Sequence, residues 1–156
     1  MKDDTAMTAP LTVAHVYHDH SHGPAYGRIS LDYEGRFLRR KMLETDEGQS
    51  FLVDLAQTTS LDHGGVLVLE DGREIAIVAA PEALLEVTGH DLVRIAWHIG
   101  NRHTPCQIEA DRVLIQRDHV IRDMLGKIGA TVRDVVEPFT PEGGAYGHGR
   151  THSHAH

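Results

Sequence analysis

The chain predicts an α+β protein, with a small all-β first half and a second half in which two helices alternate with strands. Three observations predict this. Short apolar runs at period two, separated by turn residues, fill the chain to about residue 79. No stretch of that half keeps helical spacing over three turns. Beyond Pro81, two segments place apolar residues at i, i+3, i+4 and i+7 or close to it, between short strand-like runs. The expected organisation is a β-rich domain over 1–79, an alternating domain over 80–140, and a tail over 141–156. The tail is mostly glycine and histidine with almost nothing to bury, so it is expected to be disordered without metal.

In the first half, Arg28-Ile29-Ser30-Leu31-Asp32-Tyr33 alternates at period two, and Glu34-Gly35 marks a turn. Phe37 to Leu43 is expected as the return strand, with Arg39, Arg40 and Lys41 on its charged face. Phe51 to Leu55 is a further short strand. Val66–Leu69 and Ile75–Val78, joined through Asp71-Gly72, make the strongest hairpin signal of the chain. A sandwich or barrel follows from these pieces. The texture changes at Ala79-Ala80-Pro81-Glu82, the expected boundary.

In the second half Ala83 to Val87 reads as a strand ended by Gly89. Leu92, Ile95, Ala96 and Ile99 form one buried stripe of a helix over Asp91–Asn101, with Gly100 at its end. Strands are expected at Cys106–Glu109 and Arg112–Gln116. A second helix runs from His119 to Ile128, capped by Asp118 and ended by Gly129, with Val120, Ile121, Met124, Leu125 and Ile128 as its buried face. A last strand covers Thr131 to Val136. This order, β-α-β-β-α-β, is the ferredoxin-like split pattern.

The chain has 156 residues, a formal charge of −8 and 15 basic residues. An acidic balance with no basic patch argues against nucleic acid or an anionic membrane as partner. There is no apolar run of membrane-spanning length and no apolar leader within residues 1–10. The single cysteine, Cys106, excludes an intrachain disulfide and suits a reducing cytoplasm, the expected location.

Histidine sets the chemistry. Of 13 histidines, His15, His18, His20 and His22 cluster near the N-terminus, and His148, His152, His154 and His156 lie at the other end. Neutral imidazole is a borderline-soft donor that suits Ni(II), Zn(II) and Cu(II) better than Mg or Ca. His18, His20 and His22 line one side of an extended segment, a workable chelate; otherwise they belong to a solvated loop before the first strand. His103 falls just past the first helix, where Gly100 lets the chain turn and Pro105 stops the helix resuming. It is either a surface ligand or a loop histidine bonded to a backbone carbonyl. His98 is either an accessory ligand or a helix-surface residue. Cys106 is either part of a mixed N/S site or a small buried residue. His63 and His90 read as surface residues.

Gly100-Asn101-Arg102-His103 followed by Gln107-Ile108, then Asp118-His119-Val120 with Asp123-Met124-Leu125, then Pro138-Phe139 with Pro141 and Gly144-Ala145-Tyr146 and a histidine-rich end, resembles the urease accessory protein E family of nickel metallochaperones. The resemblance covers about residues 27–156, including the Val68–Gly72 hairpin, and is loosest over the first 25 residues. It implies a peptide-binding β-domain, a ferredoxin-like metal-binding domain and a homodimer formed through the latter. It further implies that His103 meets its twin on the dimer axis to hold one nickel, with His119 as a second metal-binding position. Some members carry another histidine two residues earlier, where this chain has Arg117. His148, His152, His154 and His156 match the metal-binding tail.

The expected function is delivery of Ni(II) to apo-urease, with the urease apoprotein and an accessory complex containing a GTP-binding protein as partners. Metal storage or buffering is the alternative. A zinc hydrolase built on His98, His103 and His119, with Asp118 or Asp123 as base, lacks the His-Glu-x-x-His element. A pure peptide-binding module leaves both histidine clusters without a purpose.

Overall fold

The computed structural model describes residues 10–143. The chain forms two compact units that divide between Val78 and Ala79, and together they make an α+β protein with two sheets and two helices.

The first unit holds β1 (Ala14–His18), β2 (Gly27–Leu31), β3 (Phe37–Glu44), β4 (Ser50–Ser60), β5 (Val66–Leu69) and β6 (Glu74–Ala79) in one sheet of order β2-β6-β5-β1-β4-β3. Alternation gives β4 and β6 their inner faces, Phe51, Val53 and Leu55 on one and Ile75 and Ile77 on the other. Leu67 and Leu69 of β5 and Ala14 of β1 complete that core. The β5/β6 hairpin forms as expected, with Gly72 at φ 93 taking the left-handed position that side chains resist.

Two expectations fail here. The first pairs β2 with β3 as a hairpin. Instead they stand at opposite edges of the sheet, β2 beside β6 and β3 antiparallel to β4 along Phe37↔Ser60 to Glu44↔Ser50. A 3-10 turn at Glu34–Arg36 breaks the path between them. The second is the alternative that sets the N-terminal histidines in a solvated loop before the first strand, which fails for His15 and His18. Ala14–His18 is β1, inside the sheet, parallel to β4 and antiparallel to β5. Only Ala14 of β1 is fully buried, so backbone pairing rather than apolar alternation places it.

The second unit runs β7 (Pro81–Thr88), α1 (Leu92–Asn101), β8 (Cys106–Ile108), β9 (Val113–Gln116), α2 (His119–Lys127) and β10 (Thr131–Pro138), with sheet order β10-β7-β9-β8, all antiparallel. Ile95 and Ile99 of α1 and Ile121 and Leu125 of α2 pack onto Leu85, Val87, Val113 and Ile115. The expected buried face of α2 is too broad. Val120 is 49% and Ile128 38% exposed, because Val120 opens the first turn and Ile128 falls after the helix. β10 also continues past Val136 to Pro138, which pairs with Pro81 at the sheet edge. Among the described residues, no helix is long and apolar enough to cross a membrane.

Candidate metal centre

α1 is held at its start by Asp91, whose carboxylate accepts from the Arg94 amide at 3.2 Å, and at its end by fully buried Ile99. Past Ile99 the helix unwinds through Arg102 N–H to Ile99 O at 3.1 Å and His103 N–H to Gly100 O at 2.8 Å. The left-handed residue that closes it is His103 itself, at φ 59, whereas Gly100 remains inside the last turn. The expectation that Gly100 provides the turn is therefore corrected by three residues. Glycine or asparagine normally holds this position, and an L-residue there costs ~1–2 kcal/mol. His103 is exposed on a packed helix end in a conformation that a different residue would adopt more cheaply. Beside it on α1, the half-buried His98 ring meets the Trp97 ring edge-on, centroids 5.1 Å apart.

The chain that leads into the tail starts close by in bonding terms. The Thr140 amide donates to Gln107 Oε1 at 2.8 Å and the Glu142 amide to Cys106 O at 2.8 Å. Cys106 is three residues after His103, so the root of residues 144–156 is tied to the strand that leaves the His103 turn. His148, His152, His154 and His156 lie outside the described residues. Cys106 packs half-buried against the core of this unit, and burial, with Glu142 nearby, pushes its thiol up. A raised thiol is a poor ligand at neutral pH, which favours the buried reading over a mixed N/S site.

His119 is the exposed first residue of α2. It borders an open depression with Arg117, Asp118, Val120, Arg122 and Asp134. Asp118 Oδ1 accepts from the Val120 amide at 2.8 Å and the Ile121 amide at 3.1 Å, so this carboxylate is spent on capping. Arg117 reaches across two strands, Nε to Leu84 O at 3.1 Å and Nη2 to Val135 O at 3.0 Å. A histidine at 117 would add a donor next to His119; this chain has a sheet clamp there.

Most acidic side chains of the second unit are likewise engaged. Arg112 bonds Glu86, Glu109 and Glu137 at 2.7–3.0 Å, and Arg133 also bonds Glu86 at 2.8 Å. Arg133 and Arg112 together hold the Glu86 carboxyl below the usual range. Arg122 does the same for Asp134.

The N-terminal histidines divide. The β1–β5 register slips between Ala14 and Val16, and the bulged His15 bonds Asp54 O through Nδ1 at 3.0 Å and Glu70 Oε2 through Nε2 at 2.9 Å. Those two bonds, the Asp54 carbonyl first and the Glu70 carboxylate second, raise its pKa. His18, His20 and His22 instead gather. His22 stands 5.0 Å from His18 and 4.9 Å from His20 between ring centroids, and His18 and His20 are 6.5 Å apart. His20 Nδ1 bonds Asp19 at 2.7 Å and His22 Nδ1 bonds Glu74 at 3.2 Å. Burial acts to raise the Glu74 carboxyl, but bonds from the His22 amide and ring and the Ser21 hydroxyl hold it low. Glu74 could not be read from the sequence as a member of this group, since it lies 52 residues from His22 and only strand pairing brings it there. Asp19, flanked by His18 and His20, was legible. His63 and His90 are exposed, as expected.

Among the described residues, no three His, Cys, Asp or Glu side chains already surround one ion-sized point. No ion site is therefore preformed among the described residues.

The profile of the UreE urease accessory protein N-terminal domain matches residues 12–80, and that of its C-terminal domain matches residues 82–156. The urease accessory protein UreE of Ruegeria pomeroyi is 72% identical over 129 residues, covering 83% of this chain and 87% of its own length. That of Ruegeria sp. (strain TM1040) is 65% identical over 147 residues, 94% of this chain and 84% of its own. That of Cereibacter sphaeroides is 60% identical over 134 residues, 86% and 73%. With both halves matched in order and identities this high along most of its length, the chain belongs to the UreE urease accessory protein family.

Proposed function

We propose that this protein is a nickel metallochaperone that delivers Ni(II) to apo-urease during maturation of its active site. The observation that carries this reading is His103: exposed, strained, fixed on a packed helix end, with the root of the histidine tail bonded three residues away. A carrier needs accessible donors that a partner can displace, whereas a catalytic metal needs a closed pocket and a base. The hydrolase reading loses one of its two bases, because Asp118 caps α2.

One His103 supplies too few ligands for a closed site, and a two-fold axis doubles it, which is the reason for a homodimer. The element order and the sheet order β10-β7-β9-β8 support a ferredoxin-like reading of residues 80–140, with 1–79 as a peptide-binding domain. Along the chain, Glu142 is six residues from His148, the first histidine of the tail. In this scheme tail histidines collect the ion, the His103 pair holds it with His119 as auxiliary ligand, and a GTP-binding accessory partner and the urease complex receive it. A lone reduced cysteine suits the cytoplasm. Zn(II) and Cu(II) compete for the same donors.

Calorimetric titration with Ni(II), comparing the native chain with His103→Ala, tests this. One tight ion per two chains, absent in the variant, is expected. Identical curves would put the metal in the tails and leave storage as the function.

A further inference from the structure

We propose that His18, His20 and His22 form a second metal site, complete within one chain on the first unit, with Asp19 and Glu74 orienting its rings. It goes beyond nickel delivery through His103 and does not depend on it. The two shorter ring separations, 4.9 and 5.0 Å, are close enough for the rings to share an ion once they turn. A metal–nitrogen bond of ~2.1 Å puts a ring centre ~3.2 Å from the ion, so two rings at a tetrahedral angle stand ~5.2 Å apart. Their planes meet at 71° and 52°, unlike stacked rings.

The proton bookkeeping fits as well. A ligating histidine usually donates its other ring N–H to a carboxylate, which fixes the tautomer and aims the free nitrogen. Nδ1 of His20 faces Asp19 and Nδ1 of His22 faces Glu74, which leaves Nε2 of both for an ion. His18 Nδ1 is buried with no partner among the described protein atoms, so on this ring it is Nδ1 that a cation would satisfy. Two carboxylates beside the rings balance the charge of a divalent ion.

The frame is built as well. His18 ends β1 opposite Val66, and a Cβ at Gly65 would lie 2.8 Å from His18 O and 2.7 Å from the Tyr17 ring. The Tyr17 hydroxyl is pinned by the Asp62 amide at 2.8 Å. At the far end, the Ser21 hydroxyl and the His22 amide both donate to Glu74 Oε1, at 3.1 and 3.3 Å. The loop is thus tied at both ends and its rings need only turn to close. Three imidazoles suit Ni(II), Cu(II) and Zn(II).

The test uses the full chain carrying His103→Ala, His119→Ala, His148→Ala, His152→Ala, His154→Ala and His156→Ala, titrated with nickel chloride by calorimetry. One ion per chain is expected to remain, and to disappear when His20→Ala and His22→Ala are added. Both rings are exposed, at 70% and 56%, so circular dichroism should be unchanged. Glu74→Gln should weaken the ion ~10-fold without changing the stoichiometry, an effect that a merely structural role would not produce at an unchanged melting temperature. No ion in the first variant, or an ion surviving loss of His20 and His22, overturns the site. Loss of the His103-dependent ion from the native protein would instead count against the carrier reading and leave this one standing.

Discussion

The His103 turn and the His18–His22 loop solve opposite halves of the same problem. His103 has position without number: a single imidazole at the end of a helix anchored by Ile99, in a left-handed conformation. The His18–His22 loop has number without a surrounding core: three imidazoles within 6.5 Å, held by hydrogen bonds to Asp19 and Glu74 and by the end of β1. Under the proposed function, the first is shared between two copies and offers its ion to a partner. The second is complete in one chain. Ligand count in the sequence is therefore a poor guide to which histidine is held in a fixed, exposed position.

The largest expected effect separates the two directly. His103→Ala should weaken the tightest nickel site on the order of 100-fold or more while leaving the fold intact, measured by calorimetry alongside thermal melting. If the tight ion survives, the fixed turn has no special standing over the loop. Next in size, truncation after Gly143 keeps the Glu142–Cys106 bond and removes four histidines. The ion count should fall while the His103-dependent ion persists, by titration monitored with mass spectrometry. Acidification should release metal from both regions, since protonated imidazole cannot ligate; retention in acid would point to carboxylates.

A smaller effect tests the strain. His103→Gly should stabilise the second unit by about 1 kcal/mol in denaturant unfolding while abolishing the tight ion, because glycine takes φ 59 freely. The smallest concerns His15. Its bonds to the Asp54 carbonyl and to Glu70 raise its pKa above the ordinary 6.5, so the stability it contributes is full below that value and is lost as pH rises through the raised one. His15→Asn should lower the melting temperature at about pH 6, leave it unchanged at about pH 9, and alter no metal stoichiometry. A change in bound nickel would return His15 to the cluster.

Much of the scaffold was legible because local rules agreed with it. Asp71-Gly72 marked a hairpin, Asp118 and Gly129 bracketed α2, and the spacing of Leu92, Ile95, Ala96 and Ile99 marked α1. The misreadings fall where local pattern is silent. β1 offers one buried residue, so nothing in its spelling announces a strand. β2 and β3 follow each other along the chain with a turn between them, yet the partners they select are β6 and β4. Val120 and Ile128 look like helix core because composition does not say where a nine-residue helix starts and stops.

By itself the amino-acid sequence determined the two-part α+β plan, the donor chemistry and His103 as a candidate ligand, since periodicity, capping and imidazole content are properties of neighbours along the chain. The tertiary structure decided which histidines are available. It took His15 out of the cluster through Asp54 and Glu70 and gathered His18, His20 and His22 beside Glu74. It put Arg117 across two strands and left His103, not Gly100, to carry the left-handed turn. Each of these rests on a strand register or a helix end, set by pairing and packing between residues far apart in the chain.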